Sequence, residues 1–202
     1  MSRYYLVLLG LLLFSACSRR GGNEMIHFDS LALRNGDIVF RKGVGHKSDF
    51  VIYADTGGVY SHVGIVVQKD SNFMVIHITP GEAENKSAED TIKMESLNNF
   101  FSSGRAEAGA IMRLKDDSTN MQASKYALRI LEKKILFDHD YSLKDSSKMY
   151  CTELLWHAYL SAGRDITQGR RSILKDYPLF SGTYIFPSDI YKNDSLVCIY
   201  QF

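Results

Sequence analysis

The 202-residue chain carries 24 lysines and arginines against 23 aspartates and glutamates, and a leader ending at residue 16 would remove Arg3 and no acid. The mature protein is therefore formally neutral, which excludes nucleic-acid binding through a general basic surface. The length fits one domain built around a single core.

In chain order, the first signal is an address. Arg3 precedes an apolar run from Tyr4 to Phe14 that ends in Ser15-Ala16-Cys17, which reads as a signal peptide over residues 1–16. The run is shorter than the roughly 20 apolar residues of a membrane-spanning helix. Small residues directly before Cys17 resemble a bacterial lipobox, in which the thiol is acylated and becomes the mature N-terminus. Residues 17–30, with Arg19, Arg20, Gly21 and Gly22, then read as a lipidated tether, and residues 31–202 as the folded domain.

Within that domain the turn Asn35-Gly36 leads into a strand over 37–40. Two stronger β segments, 62–67 and 73–78, are separated by Gln68-Lys-Asp-Ser-Asn72 and predict a hairpin. The stretch 81–109 is polar, with a short helix expected over 94–101 and a strand over 110–114. Helical spacing of apolar residues predicts helices over 121–136 and 151–162, the second stopped by Gly163, and 196–200 reads as a closing strand. The fold class is α+β, a mostly antiparallel sheet packed by helices.

Three residues stand out chemically. Cys151 opens its helix behind the capping residues Asp145-Ser146-Ser147, a position that favours thiolate, and spacing to Leu154 and Leu155 turns it toward the sheet. His62 opens a strand in Tyr60-Ser-His-Val-Gly64, with the side-chain-free Gly64 two residues on and on the same face. His77 lies on the facing strand. If the hairpin pairs Gly64 with Val75, His62 stands directly opposite His77, about 4.5–5.5 Å away at Cβ. His46 and His139 fall in loop-like sequence, and His157 lies well inside its helix. The set His46, His62, His77 and Cys151 matches no zinc spacing, and Gly43-Val-Gly45 is no dinucleotide fingerprint. No metal and no cofactor is expected.

Five segments together, Arg34-Asn-Gly-Asp-Ile-Val-Phe40, Tyr60-Ser-His-Val-Gly-Ile-Val66, Val75-Ile-His-Ile-Thr-Pro-Gly81, Tyr150-Cys-Thr-Glu-Leu-Leu155 and Phe186-Pro-Ser-Asp-Ile190, resemble the permuted papain-like cysteine hydrolases of the YiiX and YaeF type, relatives of the NlpC-type cell-wall peptidases. The histidine precedes the cysteine, as in the permuted members. The resemblance implies a circularly permuted papain-like fold with Cys151 as nucleophile, His62 as base and position 77 as the group orienting the base. It also implies an oxyanion region at the Cys151 backbone N–H, with Tyr53, Tyr60, Ser61 and Tyr150 around the substrate. Many relatives have glutamate where this chain has His77, and a neutral imidazole cannot stabilise an imidazolium as a carboxylate does.

The expected function is that of an exported, lipid-anchored cysteine hydrolase of the bacterial cell envelope, facing the periplasm or the exterior. Its expected substrate is an amide bond in peptidoglycan stem peptides. The alternatives are a lipid or other acyl-ester hydrolase or acyltransferase of the same fold, and a non-catalytic envelope binding lipoprotein.

Overall fold

The computed structural model describes residue 28 and residues 31–82, 89–175 and 181–202. The leader and nearly all of the tether, Cys17 included, lie outside the described residues. No helix among the described residues is long and apolar enough to cross a membrane.

The chain forms strand β1 (Ile38–Gly43), helix α1 (His46–Ala54), the hairpin β2 (His62–Lys69) and β3 (Asn72–His77), then β4 (Lys93–Ser96), α2 (Leu97–Phe100) and β5 (Ala106–Leu114). It continues with α3 (Asp117–Glu132), the short β6 (Leu136–Phe137) and β7 (Lys148–Met149), and α4 (Cys151–Leu160). Finally come β8 (Ser172–Leu174), β9 (Gly182–Tyr184), α5 (Pro187–Tyr191) and β10 (Leu196–Gln201). Six strands make one sheet in the order β10-β5-β1-β2-β3-β4, all paired antiparallel.

Strand alternation divides the sheet into two faces. Ile38, Phe40, Val63, Ile65, Val67 and Ile76 point to one, where Ala123, Ala127 and Ile130 of α3 and Leu154, Leu155 and Ala158 of α4 cover them. Val39, Val66, Val75 and Ile111 point to the other, under Leu97, Phe100 and Phe101. Helix α3 starts on Asp116, whose carboxylate accepts the N–H groups of Ser118 and Thr119, so one acceptor satisfies two donors that the first turn leaves open.

The Asn-Gly-Asp turn before β1 is structural. Gly36 has φ +82°, and a Cβ there would lie 2.3 Å from the Asn120 carbonyl oxygen, so no other residue fits. Asp37 is fully buried. It accepts from Arg113 Nε at 2.6 Å, from a second Arg113 nitrogen at 2.7 Å and from the Arg34 N–H at 2.9 Å, a paired buried charge tying the start of β1 to β5.

Three local expectations are corrected. Residues 94–101 do not form one helix: Ile92 and Met94 pack into the first core while Lys93 and Glu95 face the other way, so the segment is a strand that turns helical only after the cap Ser96. His46, expected in loop-like sequence, opens helix α1, whose apolar residues follow no single stripe. Phe50 and Tyr53 are exposed while Ser48 and Ala54 are buried. The hairpin register is the third correction, and it shapes the site.

Candidate active site

Strands β2 and β3 pair Ile65 with Ile76, Val66 with Val75 and Gln68 with Phe73. This is two residues away from the expected pairing of Gly64 with Val75. Continued toward the strand ends, the register sets Gly64, not His62, opposite His77. An even shift keeps every side chain on its expected face, so His62 and His77 still share one, now as diagonal neighbours. Contact survives because Gly64 leaves the space between them open. A Cβ there would meet Val75 Cγ1 at 2.6 Å and His77 Cβ at 3.2 Å, so the His77 ring leans across the glycine and its Nδ1 comes within 2.8 Å of His62 Nε2. Gly64→Ala is therefore expected to destabilise the fold by about 1–3 kcal/mol through overpacking and to part the two rings. Thermal unfolding, with the two imidazole signals followed by NMR, measures both.

The line continues. His77 Nε2 lies 2.9 Å from Glu95 Oε1, and the other Glu95 oxygen accepts from Arg105 at 2.8 Å. Glu95 pairs with Val75 in the β3–β4 register, while Lys93 stands opposite His77, so His77 reaches diagonally to both neighbouring strands. Three residues from three strands thus form one hydrogen-bonded row, His62, His77 and Glu95, of which the first two are buried. Because each ring nitrogen of His77 has a partner, the tautomers follow: His62 donates from Nε2, His77 accepts at Nδ1 and donates from Nε2, and Glu95 accepts. Among the described residues His62 Nδ1 has no hydrogen-bond partner.

Cations surround the row. Arg41, paired with His62 in the β1–β2 register, is buried, stacks 4.7 Å over the Phe100 ring and donates to Glu82 at 2.6 Å and to the Phe100 carbonyl at 2.9 Å. The same ring lies 5.6 Å from His62 and 5.1 Å from His77. Lys93 donates to Glu82 at 3.0 Å. Burial, then the charges of Arg41, His77 and Lys93, push the His62 pKa well below 6.5. Burial also lowers that of His77, against the pull of Glu95. For Glu95 itself burial opposes ionisation, but the bond to His77 and the charges of His77, Lys93 and Arg105 prevail and hold it at about 2. At neutral pH the row is two neutral imidazoles ending on a carboxylate.

Cys151 approaches from the α4 layer. β3 stops at His77 and pairs with β2 only from Ile65 onward, so the Val63 amide, next in chain to His62, meets the thiol instead of a ladder partner. The N-cap of α4 is Tyr150, which makes no side-chain cap. The expected capping residues lie upstream, where Asp145 accepts from Ser147. An uncapped helix start leaves first-turn amides for a ligand, and those of Cys151 and Thr152 point at the sulfur. The expectation of a depressed thiol pKa is reversed: burial pushes Cys151 up to about 11, outweighing the amides of Val63, Thr152 and Cys151 and the charge of Arg41. The resting group is a thiol. Cys151 and Cys198 are both free, and Cys198 is exposed.

Both neighbours of the cysteine are clamped to Ile185. Its N–H donates to Tyr150 Oη at 3.1 Å and its carbonyl accepts from Thr152 Oγ1 at 2.6 Å. The Phe-Pro-Ser-Asp segment that follows is tied down in turn. Asp189 accepts the Phe186 N–H, and Ser188 donates its N–H and its hydroxyl to buried Asp55 at the end of α1.

Of the residues expected around the substrate, Tyr53 is exposed on α1. Tyr60 is buried against Phe40 and Tyr191, its hydroxyl accepting from Gln201 at 3.2 Å. Ser61 Oγ accepts from the Gly43 N–H and from Ser48, and Tyr150 serves the Ile185 clamp. The last three hold the scaffold. Glu95, Arg41, Lys93 and Arg105 are additions that the sequence reading missed. The alternation of Ile92 and Met94 with Lys93 and Glu95 was the available signal.

His77, Glu82 and Glu95 present three ligand atoms within 4.8 Å of one another, but the group does not fit a metal. Both His77 nitrogens are engaged by His62 and Glu95, and the carboxylates already carry Arg41, Lys93 and Arg105.

Residues 32–200 match the family described as permuted papain-like amidase enzyme, YaeF/YiiX, C92 family. Among solved structures, one described as the metalloprotein yiiX from Escherichia coli O157:H7 superposes with a TM-score of 0.65 at 19% identity, covering 84% of this chain and 97% of that one. A comparison with curated proteins gave no significant match.

Proposed function

The chain belongs to the permuted papain-like amidase family, whose members are cysteine hydrolases, and from that premise we propose that Cys151 is the nucleophile and His62 the base that serves it. The observation carrying this reading is that the His62 ring is held from behind by His77, with Nδ1 left over, while the thiol sits against the amide that follows His62.

The steps follow from the protonation states. His62 Nδ1 takes the proton of the neutral Cys151 thiol as the sulfur attacks the substrate carbonyl carbon, so proton transfer and attack proceed together rather than from a stored thiolate. The oxyanion forms at the uncapped start of α4, where amide dipoles converge. His62 returns the proton to the departing amine, the C–N bond breaks, and an acyl-thioester remains on Cys151. Water, deprotonated by His62, then releases the acid and regenerates the thiol.

An exported position, with the domain anchored through lipid on Cys17, makes an amide bond of peptidoglycan stem peptides the substrate. The test is mass spectrometry of muropeptides and, separately, of phospholipids after incubation with the mature protein. Cleavage of a stem-peptide amide supports the reading. Release of fatty acid alone replaces it with an acyl-ester hydrolase, and loss of neither substrate makes the protein a binding lipoprotein. The anchor is checked independently by tagged fatty acid, whose incorporation should disappear in Cys17→Ser.

A further inference from the structure

Position 77 is a histidine in a place where a carboxylate would be the direct partner of the base, and the structure puts a carboxylate one residue further out. We propose that His77 is a proton relay and that Glu95 is the positioning residue at its end, moving the positive charge of the activated base one ring away from His62. This rests on the reading of Cys151 and His62 given above.

The geometry carries it. The row has two links, 2.8 Å and 2.9 Å, both rings are buried, and the tautomers align head to tail. When the Cys151 proton arrives at His62 Nδ1, the proton on His62 Nε2 passes to His77 Nδ1. His62 ends neutral with its proton on Nδ1, and His77 ends as an imidazolium donating to Glu95. Proton number and charge balance: the sulfur has lost one proton and the row has gained one. A charge on His77 stands 2.9 Å from a carboxylate that works against the opposing Lys93 and Arg41 charges, whereas on His62 it would face Arg41 and Lys93 with no carboxylate among the described residues to offset them.

Among the described residues, the bond to His77 and the charges of Lys93 and Arg105 hold Glu95 ionised. From β1 comes Arg41 and from β2 His62; β4 supplies Lys93, 4.0 Å from Glu95, and the turn before β5 supplies Arg105 at 2.8 Å. Glu82, after β3, draws Arg41 and Lys93 toward itself at 2.6 and 3.0 Å, and among the described residues Arg105 is the nearest cation to Glu95. Phe100 of α2 packs on both rings, and the Cys151 thiol meets the Val63 amide, next in chain to His62. A structural glutamate needs no such alignment with a catalytic histidine. A relay does.

The experiment uses the mature protein and p-nitrophenyl acetate, following kcat/KM against pH for wild type, Glu95→Gln, His77→Glu and the double variant. Glutamine keeps an acceptor for His77 Nε2 and removes only the charge. Glu95→Gln is expected to lose about 10–100-fold in kcat/KM, part of the general-base contribution, and to move the acid limb about one pH unit lower, since an opposite charge at this distance raises an imidazole pKa by that order. A merely structural role would lower the plateau without moving the limb. In His77→Glu a carboxylate meets His62 directly, so adding Glu95→Gln should cost little there, a non-additivity that only a shared path produces. Glu95→Asp, which keeps the charge, should keep the limb near its wild-type position, and circular dichroism confirms that each variant is folded. An unmoved limb with full activity in Glu95→Gln, while Cys151→Ala and His62→Ala are inactive, overturns the relay and leaves the proposed base intact. Full turnover in Cys151→Ala, or none in wild type, removes the nucleophile reading and the relay with it.

Discussion

Replacing Cys151 by alanine is expected to lower hydrolysis by at least about 10⁴-fold, as loss of a covalent nucleophile does in enzymes that act through an acyl intermediate. The structure makes this a clean experiment. Cys151 makes no disulfide, so the substitution removes one sulfur atom and leaves the Ile185 clamp on its neighbours in place. Alanine cannot accept the acyl group, and the residual rate is that of water at the uncapped helix start. Cys198→Ala is the control. It lies exposed on the edge strand β10, and its loss should leave kcat/KM unchanged. Trapping discriminates further: a slow ester substrate should add its acyl mass to wild type and not to Cys151→Ala, read by intact-protein mass spectrometry. Equal turnover in the alanine variant would remove Cys151 from the chemistry.

His62→Ala should cost about 10²–10⁴-fold, the span of a general-base contribution, and the pH profile of the wild type says why. A thiol held at about 11 contributes almost no thiolate at neutral pH, so an external base has to take its proton. Burial and Arg41 keep the His62 imidazole neutral to well below 6.5. The sign follows: the base is disabled only when it is protonated, so kcat/KM falls on the acid side, with its limb below 6.5, and stays level through neutral pH. An enzyme acting through a preformed thiolate–imidazolium pair would show a second limb on the alkaline side, as its imidazolium was lost. A limb at or above 6.5 in wild type, or an unchanged profile in His62→Ala, would exclude His62 as the base. Folding adds an independent readout. The unfolded chain binds protons at His62 and His77 more readily than the folded one does, so stability should fall as pH drops below 6.5, and less steeply in His62→Ala.

Much of this site was legible because it depends on short periods. Two-residue alternation put His62, Gly64 and Val66 on one face and His77 with Val75 on another facing strand, and those faces are the observed ones. The apolar spacing after Cys151 identified a helix that begins at the cysteine, and five short segments in order pointed to the permuted papain-like fold. What alternation leaves open is register, since a two-residue slip changes every partner and no face. The open space at Gly64 decided that His62 and His77 still meet across the diagonal. Glu95 could not be assigned from its own neighbourhood, because its meaning comes from β4 pairing beside His77, 18 positions away. The thiol shows the same limit most sharply. A helix start by itself argues for a thiolate, and that much Cys151's place in the sequence determined; whether the thiol keeps its proton depends on how much water the packed layers exclude from the sulfur, and only the tertiary structure decided that desolvation outweighs the helix.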